Sequence, residues 1–163
     1  MQRRRRQLLT TLPLLGCLAH RAAAAQSQRD TVLEVIAPHR STPYLLDMAA
    51  LQAMPPRRIK TRTPWHEGEP VFAGPLLRNV LAAAQATGTS LRLLALNDYW
   101  VDIPADDAHK LDVVVATSID GQAISVRDKG PLFVMYPFDS HPQLRNAVYF
   151  SRCVWQLRRI EVR

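Results

Sequence analysis

Cysteine is scarce in this sequence, and several catalytic motifs are missing from it. The 163 residues include only two cysteines, Cys17 and Cys153. There is no G-x-S-x-G motif, no P-loop and no G-x-G-x-x-G motif, which argues against serine hydrolases, nucleotide-binding enzymes and dinucleotide-binding enzymes. His66 and Glu67 lack a second histidine four residues away, so this segment does not predict a helical zinc site.

The N-terminal segment lacks an apolar run long enough to cross a bilayer. Four arginines at residues 3–6 precede a short apolar run at residues 8–19 and four alanines at residues 22–25. A basic start, a short apolar stretch and small residues at a cleavage point are typical of a secretory signal peptide. We therefore predict a signal peptide over residues 1–25, one domain over residues 26–163, and a periplasmic location.

Two further export patterns overlap this segment. Arg5 and Arg6, followed by Leu8 and Leu9, match the twin-arginine pattern, which predicts translocation of a folded protein. The segment that ends at Cys17 is similar to a lipoprotein cleavage box, which would give a lipid-anchored protein instead. The lipoprotein alternative would start the mature chain at Cys17, whereas cleavage after residue 25 would start it at Gln26.

The positive charge of the chain belongs largely to this leader. Its removal takes away five of the 21 basic residues and none of the 14 acidic ones, so the formal net charge falls from +7 to +2. A charge of this size gives little support to nucleic-acid binding, and we expect no nucleic-acid partner. Cys17 leaves with the leader, so Cys153 is left without an intramolecular disulfide partner.

Periodicity predicts short strands that alternate with a few short helices. Apolar alternation and turn residues predict strands at residues 31–36, 57–63, 91–96, 99–103, 113–117, 132–136 and 154–162. Helical spacing predicts helices at residues 44–54 and 75–88. Residues 105–110 are expected to form one helical turn, with Asp106 and Asp107 near its positive N-terminal end. The last strand changes face between Leu157 and Ile160, which indicates a bulge. Residues 137–146 are expected to form an irregular loop.

A charged turn precedes the apolar strand at residues 132–136. Arg127 and Lys129 place two cations beside Gly130, whose backbone N–H is able to approach a ligand closely. We expect this turn to hold an anion. The alternative is that Arg127 and Asp128 pair locally or face solvent, as most charged turn residues do.

A second candidate site follows the strand at residues 91–96. Asn97, Asp98 and Tyr99 place an amide, a carboxylate and an aromatic ring at the end of an apolar strand, where a rigid sheet presents polar groups to a ligand. The same residues also suit a turn without any other function. Cys153 would be inert if buried, because a reactive thiol needs an accessible, electropositive setting.

Four blocks of this sequence follow one another in a definite order over roughly residues 59–162. They are Trp65 with Phe72-x-Gly74-x-Leu76-Leu77-Arg78-x-Val80-Leu81, then Ala95-Leu96-Asn97-Asp98-Tyr99, then Ala116-Thr117-x-x-Asp120-Gly121-x-x-Ile124-Ser125-x-Arg127-Asp128-x-Gly130-Pro131-Leu132, and Val154-x-x-Leu157-x-x-Ile160-x-Val162. Together they resemble the molybdopterin-binding oxidoreductase domain of the sulfite oxidase family, and the order of the blocks makes this resemblance more specific than any single block.

The resemblance implies a mixed α+β fold, mainly of sheets with a few short helices, and a molybdopterin cofactor. In that family a cysteine four residues before the tryptophan binds molybdenum, and Thr61 stands at that place before Trp65 here. A hydroxyl is a poor substitute for a thiolate ligand. We therefore expect the family's fold without its usual cysteine-ligated molybdenum centre.

These observations predict an exported domain that binds a pterin-type or small anionic ligand. The expected ligand-binding residues are Thr61, Trp65, Asn97, Asp98, Tyr99, Arg127, Lys129 and Gly130. Two alternatives remain open: an active molybdopterin-dependent oxidoreductase of the sulfite oxidase type, and a periplasmic sensory or adaptor module. In the second case the domain would present its ligand to a membrane-bound signalling or redox partner.

Overall fold

The computed structural model describes residues 31–163, which form a mixed α+β fold made mainly of sheet. The strands are β1 (Thr31–Ile36), β2 (Tyr44–Asp47), β3 (Pro56–Lys60), β4 (Val71–Pro75), β5 (Ser90–Ala95), β6 (Trp100–Pro104), β7 (Val114–Ala116), β8 (Ser118–Ile119), β9 (Gln122–Ala123), β10 (Phe133–Met135) and β11 (Leu157–Val162). The helices are α1 (Met48–Ala53), α2 (Leu77–Ala83), α3 (Ala105–Lys110) and α4 (Ala147–Arg152), with a 3₁₀ turn at Pro142–Leu144. The α+β prediction is confirmed at this level, whereas the predicted leader lies outside the described residues.

The C-terminal strand β11 lies at the centre of a five-stranded sheet. The strand order is β2-β1-β11-β5-β6, with β1 parallel to β11 and the other pairs antiparallel. Leu157, Ile160 and Val162 are buried, as an alternating strand requires. The pairing with β5 shifts register between Leu157 and Arg159, which confirms the predicted bulge.

Two smaller sheets complete the core. One has the order β3-β4-β8-β9, and the other pairs β7 with β10. All six residues of β7 and β10 are buried, which explains their continuous apolar sequence. Gly74 of β4 lies against the backbone of β7, where a Cβ atom would collide with the carbonyl oxygen of Val115. This close contact requires glycine and joins the two small sheets.

The structure corrects three of the predicted elements. Residues 44–47 of the predicted first helix form β2, and Asp47 then caps α1 by accepting a hydrogen bond from the Ala50 N–H at 2.7 Å. Pro75 ends β4 instead of opening a helix, and α2 begins at Leu77. The predicted terminal strand at residues 154–162 begins only at Leu157.

Helix α4 was not predicted. Asn146 caps it, because its side-chain oxygen accepts from the backbone N–H groups of Val148 and Tyr149 at 3.0 and 3.3 Å. The helix has only six residues, too few to show a helical apolar period. Within residues 31–163, the structure has no helix with the length and apolar character needed to cross a membrane.

Candidate functional site

Trp65 lies at the centre of a cluster of aromatic side chains. Its ring centroid is 6.1 Å from that of Phe133, 5.9 Å from that of Phe150 and 5.8 Å from that of Trp155. Phe133 is fully buried, whereas Trp65, Phe150 and Trp155 are only partly buried. The cluster therefore joins the core to the surface and presents aromatic rings at the surface.

A cavity of ≈ 290 Å³ opens beside this cluster, and we call it the aromatic pocket. Three predicted site residues meet in its wall, and they come from two separate segments of the chain: Trp65 from one, and Asn97 and Tyr99 from the other. Its full lining is Trp65, Asn97, Tyr99, Phe150, Ser151, Cys153 and Trp155. Concave, mostly apolar surfaces with a few polar groups are typical of small-ligand sites.

The β5–β6 turn forms one wall of the aromatic pocket. The side-chain oxygen of Asn97 accepts a hydrogen bond from the Tyr99 backbone N–H at 3.1 Å, which fixes the turn. The Tyr99 hydroxyl donates to the carbonyl oxygen of Ser151 at 2.8 Å. This bond connects the turn to the C-terminal end of α4, so two elements far apart in sequence hold the pocket together.

The other wall, α4, is anchored by a largely buried carboxylate. Asp107 of α3 accepts from an Arg152 guanidinium nitrogen and from the Tyr136 hydroxyl, at 2.7 and 2.8 Å. Burial, the Asp107 charge and this hydrogen bond hold the pKa of Tyr136 far above its usual value. Tyr136 is therefore a permanent donor, and Asp107 fixes Arg152 at the end of α4.

Cys153 contributes to the wall of the aromatic pocket but is 3% exposed. Its thiol lies 3.5 Å from the carbonyl oxygen of Tyr149. Burial raises the pKa of Cys153 to about 12. The group is a protonated thiol at neutral pH, which suits packing and opposes a nucleophilic role.

Thr61 lies apart from the aromatic pocket and is fully buried. Its hydroxyl oxygen accepts from the Asp139 backbone N–H at 3.1 Å, and its own N–H donates to the Pro70 carbonyl at 3.2 Å. The family that the sequence resembles uses a cysteine thiolate at this place. A buried hydroxyl that already binds the main chain does not fit the role of a soft metal ligand.

A second cavity, of ≈ 550 Å³ and here called the ion-pair pocket, lies next to Thr61. Glu69 bridges Lys60, at 2.9 Å, and Arg62, while Asp139 pairs with Arg145 at 2.6 Å. Hydrogen bonds from Lys60 and Arg62 lower the pKa of Glu69 to about 2. The three cations already have carboxylate partners, so they are not free to bind an anion without breaking ion pairs.

The predicted anion-binding turn lies elsewhere. Arg127 is exposed, and Lys129 lines a separate cleft of ≈ 310 Å³ together with His66 and Ser125. The Gly130 N–H donates to the carbonyl oxygen of Ser125 at 2.7 Å. The expectation that this N–H faces a ligand is therefore wrong, because a backbone turn already uses it.

Two neighbouring polar residues also have protein partners. Asp98 accepts from Arg158 at 2.7 Å and does not line the aromatic pocket. His66 Nδ1 lies 2.9 Å from the Thr63 hydroxyl oxygen. Burial and the nearby charge of Lys129 lower the pKa of His66, so its ring favours the neutral form.

The structure thus brings three of the eight predicted site residues together in the aromatic pocket and places the other five outside it. Sequence reasoning missed Phe150, Ser151 and Trp155, which complete the aromatic pocket. The helix-capping Asn146, three residues before Tyr149, is the signal that would have revealed α4. Nothing in the spacing of Trp65 and Trp155, which are 90 positions apart, indicates their contact.

No family model matches this chain, and no curated protein matches it either.

Proposed function

We propose that this protein is an exported ligand-binding domain that holds a flat, pterin-type ring in the aromatic pocket. The proposal includes the molybdopterin-domain fold of the sulfite oxidase family, without its cysteine-ligated molybdenum. The observation that carries it is the meeting of Trp65, Asn97 and Tyr99 in one cavity. Trp65 belongs to one block of the sequence resemblance, and Asn97 and Tyr99 belong to another. Neither block alone predicts that these residues lie together.

The shape and chemistry of the aromatic pocket support a flat ligand. Its volume of ≈ 290 Å³ lies just below the range of about 300–1,000 Å³ that is typical of small-ligand sites, which suits a small ligand. Trp65, Phe150 and Trp155 offer ring surfaces, and each aromatic contact contributes about 0.5–1.5 kcal/mol beyond the apolar area that it buries. A two-ring heterocycle matches a pocket of this size and lining.

Polar groups at the rim supply orientation. Within residues 31–163 the side-chain amide nitrogen of Asn97 has no hydrogen-bond partner, so both of its donors are available to a carbonyl or ring nitrogen of the ligand. The Asn97 oxygen is fixed by the Tyr99 N–H, which also settles the direction of the amide. An amide held in this way favours a ligand whose ring edge presents a hydrogen-bond acceptor to the Asn97 nitrogen.

The burial of Thr61 favours binding over molybdenum redox catalysis. The cofactor of the family, when bound, supplies two-electron redox chemistry at its metal, and the protein normally adds a thiolate ligand. Here the corresponding side chain is a hydroxyl that is 0% exposed and bonded to the Asp139 main chain. An oxidoreductase of the sulfite oxidase type would need Thr61 to be accessible. Metal analysis of the purified protein tests this alternative, because stoichiometric molybdenum would support it.

An exported binding domain without a redox centre implies a partner that responds to the ligand. We propose a membrane-bound signalling or redox protein for this role, and no nucleic acid. Periplasmic location follows from the predicted leader, and the intact mass of the exported protein tests it, with a start near Gln26 expected. A lipid-bearing start at Cys17 would favour the lipoprotein alternative.

Isothermal titration with 6-hydroxymethylpterin tests the binding function. We expect saturable binding to wild-type protein and a loss of about tenfold or more in Tyr99→Leu, which removes both a ring surface and a wall contact. Trp100→Leu is the matched control, because Trp100 is the adjacent aromatic residue, is 51% exposed and does not line the pocket. Equal losses in both variants, or no binding to wild type, would refute the proposed function.

A further inference from the structure

Among the described residues, the lining of the aromatic pocket offers neutral hydrogen-bond donors, acceptors and aromatic rings but no cationic side chain. None of the described residues that line it is lysine, arginine or histidine. The polar groups of its lining residues are the Asn97 amide, the Tyr99 and Ser151 hydroxyls, the Ser151 carbonyl, the Cys153 thiol and the indole N–H groups of Trp65 and Trp155. An anion that entered this pocket would find hydrogen-bond donors but no compensating positive charge.

Two arginines adjoin the walls of the pocket, Arg152 on α4 and Arg158 beside the β5–β6 turn, and both are already bound to protein groups. Arg152 donates to Asp107 at 2.7 Å, and its guanidinium lies over the Tyr149 ring, 4.6 Å from the centroid. Arg158 donates to Asp98 at 2.7 Å and to the Ala95 carbonyl at 3.0 Å. Neither guanidinium lines the pocket, and each would lose a carboxylate partner by turning towards it.

Elementary electrostatics then disfavours a negatively charged ligand. Aromatic faces carry negative electrostatic potential, so they attract cations and repel anions. Transferring a carboxylate or phosphate from water into apolar surroundings without a positive partner carries a large desolvation cost. The cationic residues Arg127 and Lys129, which the sequence analysis placed at an expected anion site, lie outside this pocket.

We propose that the aromatic pocket takes a flat pterin-type ring that carries no anionic group, and excludes the phosphorylated or carboxylated forms of the same ring. This inference rests on the proposed function, because it concerns the same pocket. It narrows the ligand class to uncharged or protonated bicyclic heterocycles. It also implies that the aromatic pocket does not bind molybdopterin, because that cofactor carries a phosphate.

A pair of ligands with the same ring and substituents of different charge tests the inference. Isothermal titration of the full chain with 6-hydroxymethylpterin and with 6-carboxypterin compares a neutral CH₂OH group with a carboxylate on one ring. We expect the neutral compound to bind at least about tenfold more tightly, because the carboxylate loses hydration without gaining a cation. Equal or tighter binding of 6-carboxypterin would overturn the inference while leaving the proposed function intact.

A charge added to the rim gives the reverse test. Ser151 is exposed and lines the pocket, so Ser151→Lys adds a cation there, and the carbonyl that accepts from Tyr99 is kept. Val148→Lys adds the same charge one turn earlier on α4, where Val148 is 57% exposed and does not line the pocket. We expect Ser151→Lys, but not Val148→Lys, to strengthen binding of 6-carboxypterin by about tenfold.

The outcomes of these titrations separate the two proposals. A gain confined to Ser151→Lys supports the exclusion of anions by missing positive charge. The same gain in both lysine variants, or in neither, contradicts it. Failure of both pterins to bind wild-type protein removes the proposed function and this inference together.

Discussion

The hydroxyl of Tyr99 donates a hydrogen bond to the carbonyl oxygen of Ser151 at 2.8 Å, across 52 positions of sequence. Tyr99 lies on the β5–β6 turn, and Ser151 lies in α4, so this bond connects the two walls of the aromatic pocket. The contact is exposed, and its net contribution to stability should be about 1 kcal/mol. Its larger role is to fix the width of the pocket.

Replacing Tyr99 by phenylalanine separates the ring from the hydroxyl. Tyr99→Phe keeps the ring that faces the ligand and loses only the bond to Ser151, so we expect about a two- to fivefold loss of affinity for 6-hydroxymethylpterin. The loss should appear mainly as faster dissociation, because the pocket walls are less firmly connected. Stopped-flow fluorescence of the pterin measures this rate, and an unchanged rate would show that the bond is irrelevant to the site.

The Asp107–Arg152 pair should be energetically coupled. Removing the Asp107 charge leaves Arg152, whose side chain is only 18% exposed, without its partner, so Asp107→Asn should destabilise the protein by about 2–4 kcal/mol. In the background of Arg152→Met the same change should cost clearly less, giving a coupling energy of about 1–3 kcal/mol. Urea unfolding of the four proteins measures it. Additive effects would contradict the description of Asp107 as the anchor of α4.

Cys153 should react slowly with alkylating reagents in the native protein. Because burial raises its pKa to about 12 from an ordinary value of 9.0, the thiolate fraction near pH 8 falls by about a thousandfold. Peptide mass spectrometry after iodoacetamide treatment follows this residue individually. Reaction in the absence of denaturant at the rate of a free thiol would show that Cys153 is accessible.

The ion pairs of Glu69 predict a pH dependence of stability. Its pKa is lowered from 4.5 to about 2 in the folded protein, so its contribution to stability is fully present above pH 4.5 and is lost as the pH falls towards 2. Compared with Glu69→Gln, wild-type protein should therefore lose more of its melting temperature over this interval. The difference should be small and should shrink in 0.5 M salt, because the pairs are exposed to solvent. If the melting temperatures of the two proteins fell equally between pH 4.5 and pH 2, the lowered pKa of Glu69 would be contradicted.

Much of the fold was predictable because the strands repeat simple patterns. The buried, continuous apolar runs of β7 and β10 and the bulge in β11 are properties of neighbouring residues. Tyr44–Asp47 was mistaken for helix because four apolar and polar residues beside α1 fit both periods equally well. Pairing with β1, a contact that is not local in sequence, decides the conformation there.

The site was predictable only in part, for a similar reason. Asn97 and Tyr99 follow a strand directly, so their exposure at its end could be inferred from local sequence. The chemistry assigned to Gly130 depended on its N–H being free, and a turn to Ser125 uses that donor instead. Phe150 and Trp155 reach the pocket through packing on Trp65, which no local pattern encodes.

A crystal structure of the protein with bound 6-hydroxymethylpterin tests the central claim most directly. We predict a flat ring in the aromatic pocket, beside Trp65 and Tyr99, with its polar edge within hydrogen-bond distance of the Asn97 amide nitrogen. The bond from Tyr99 to Ser151 should remain in place. Electron density for the ring in the Lys129 cleft or in the ion-pair pocket, with the aromatic pocket empty, would contradict the proposal.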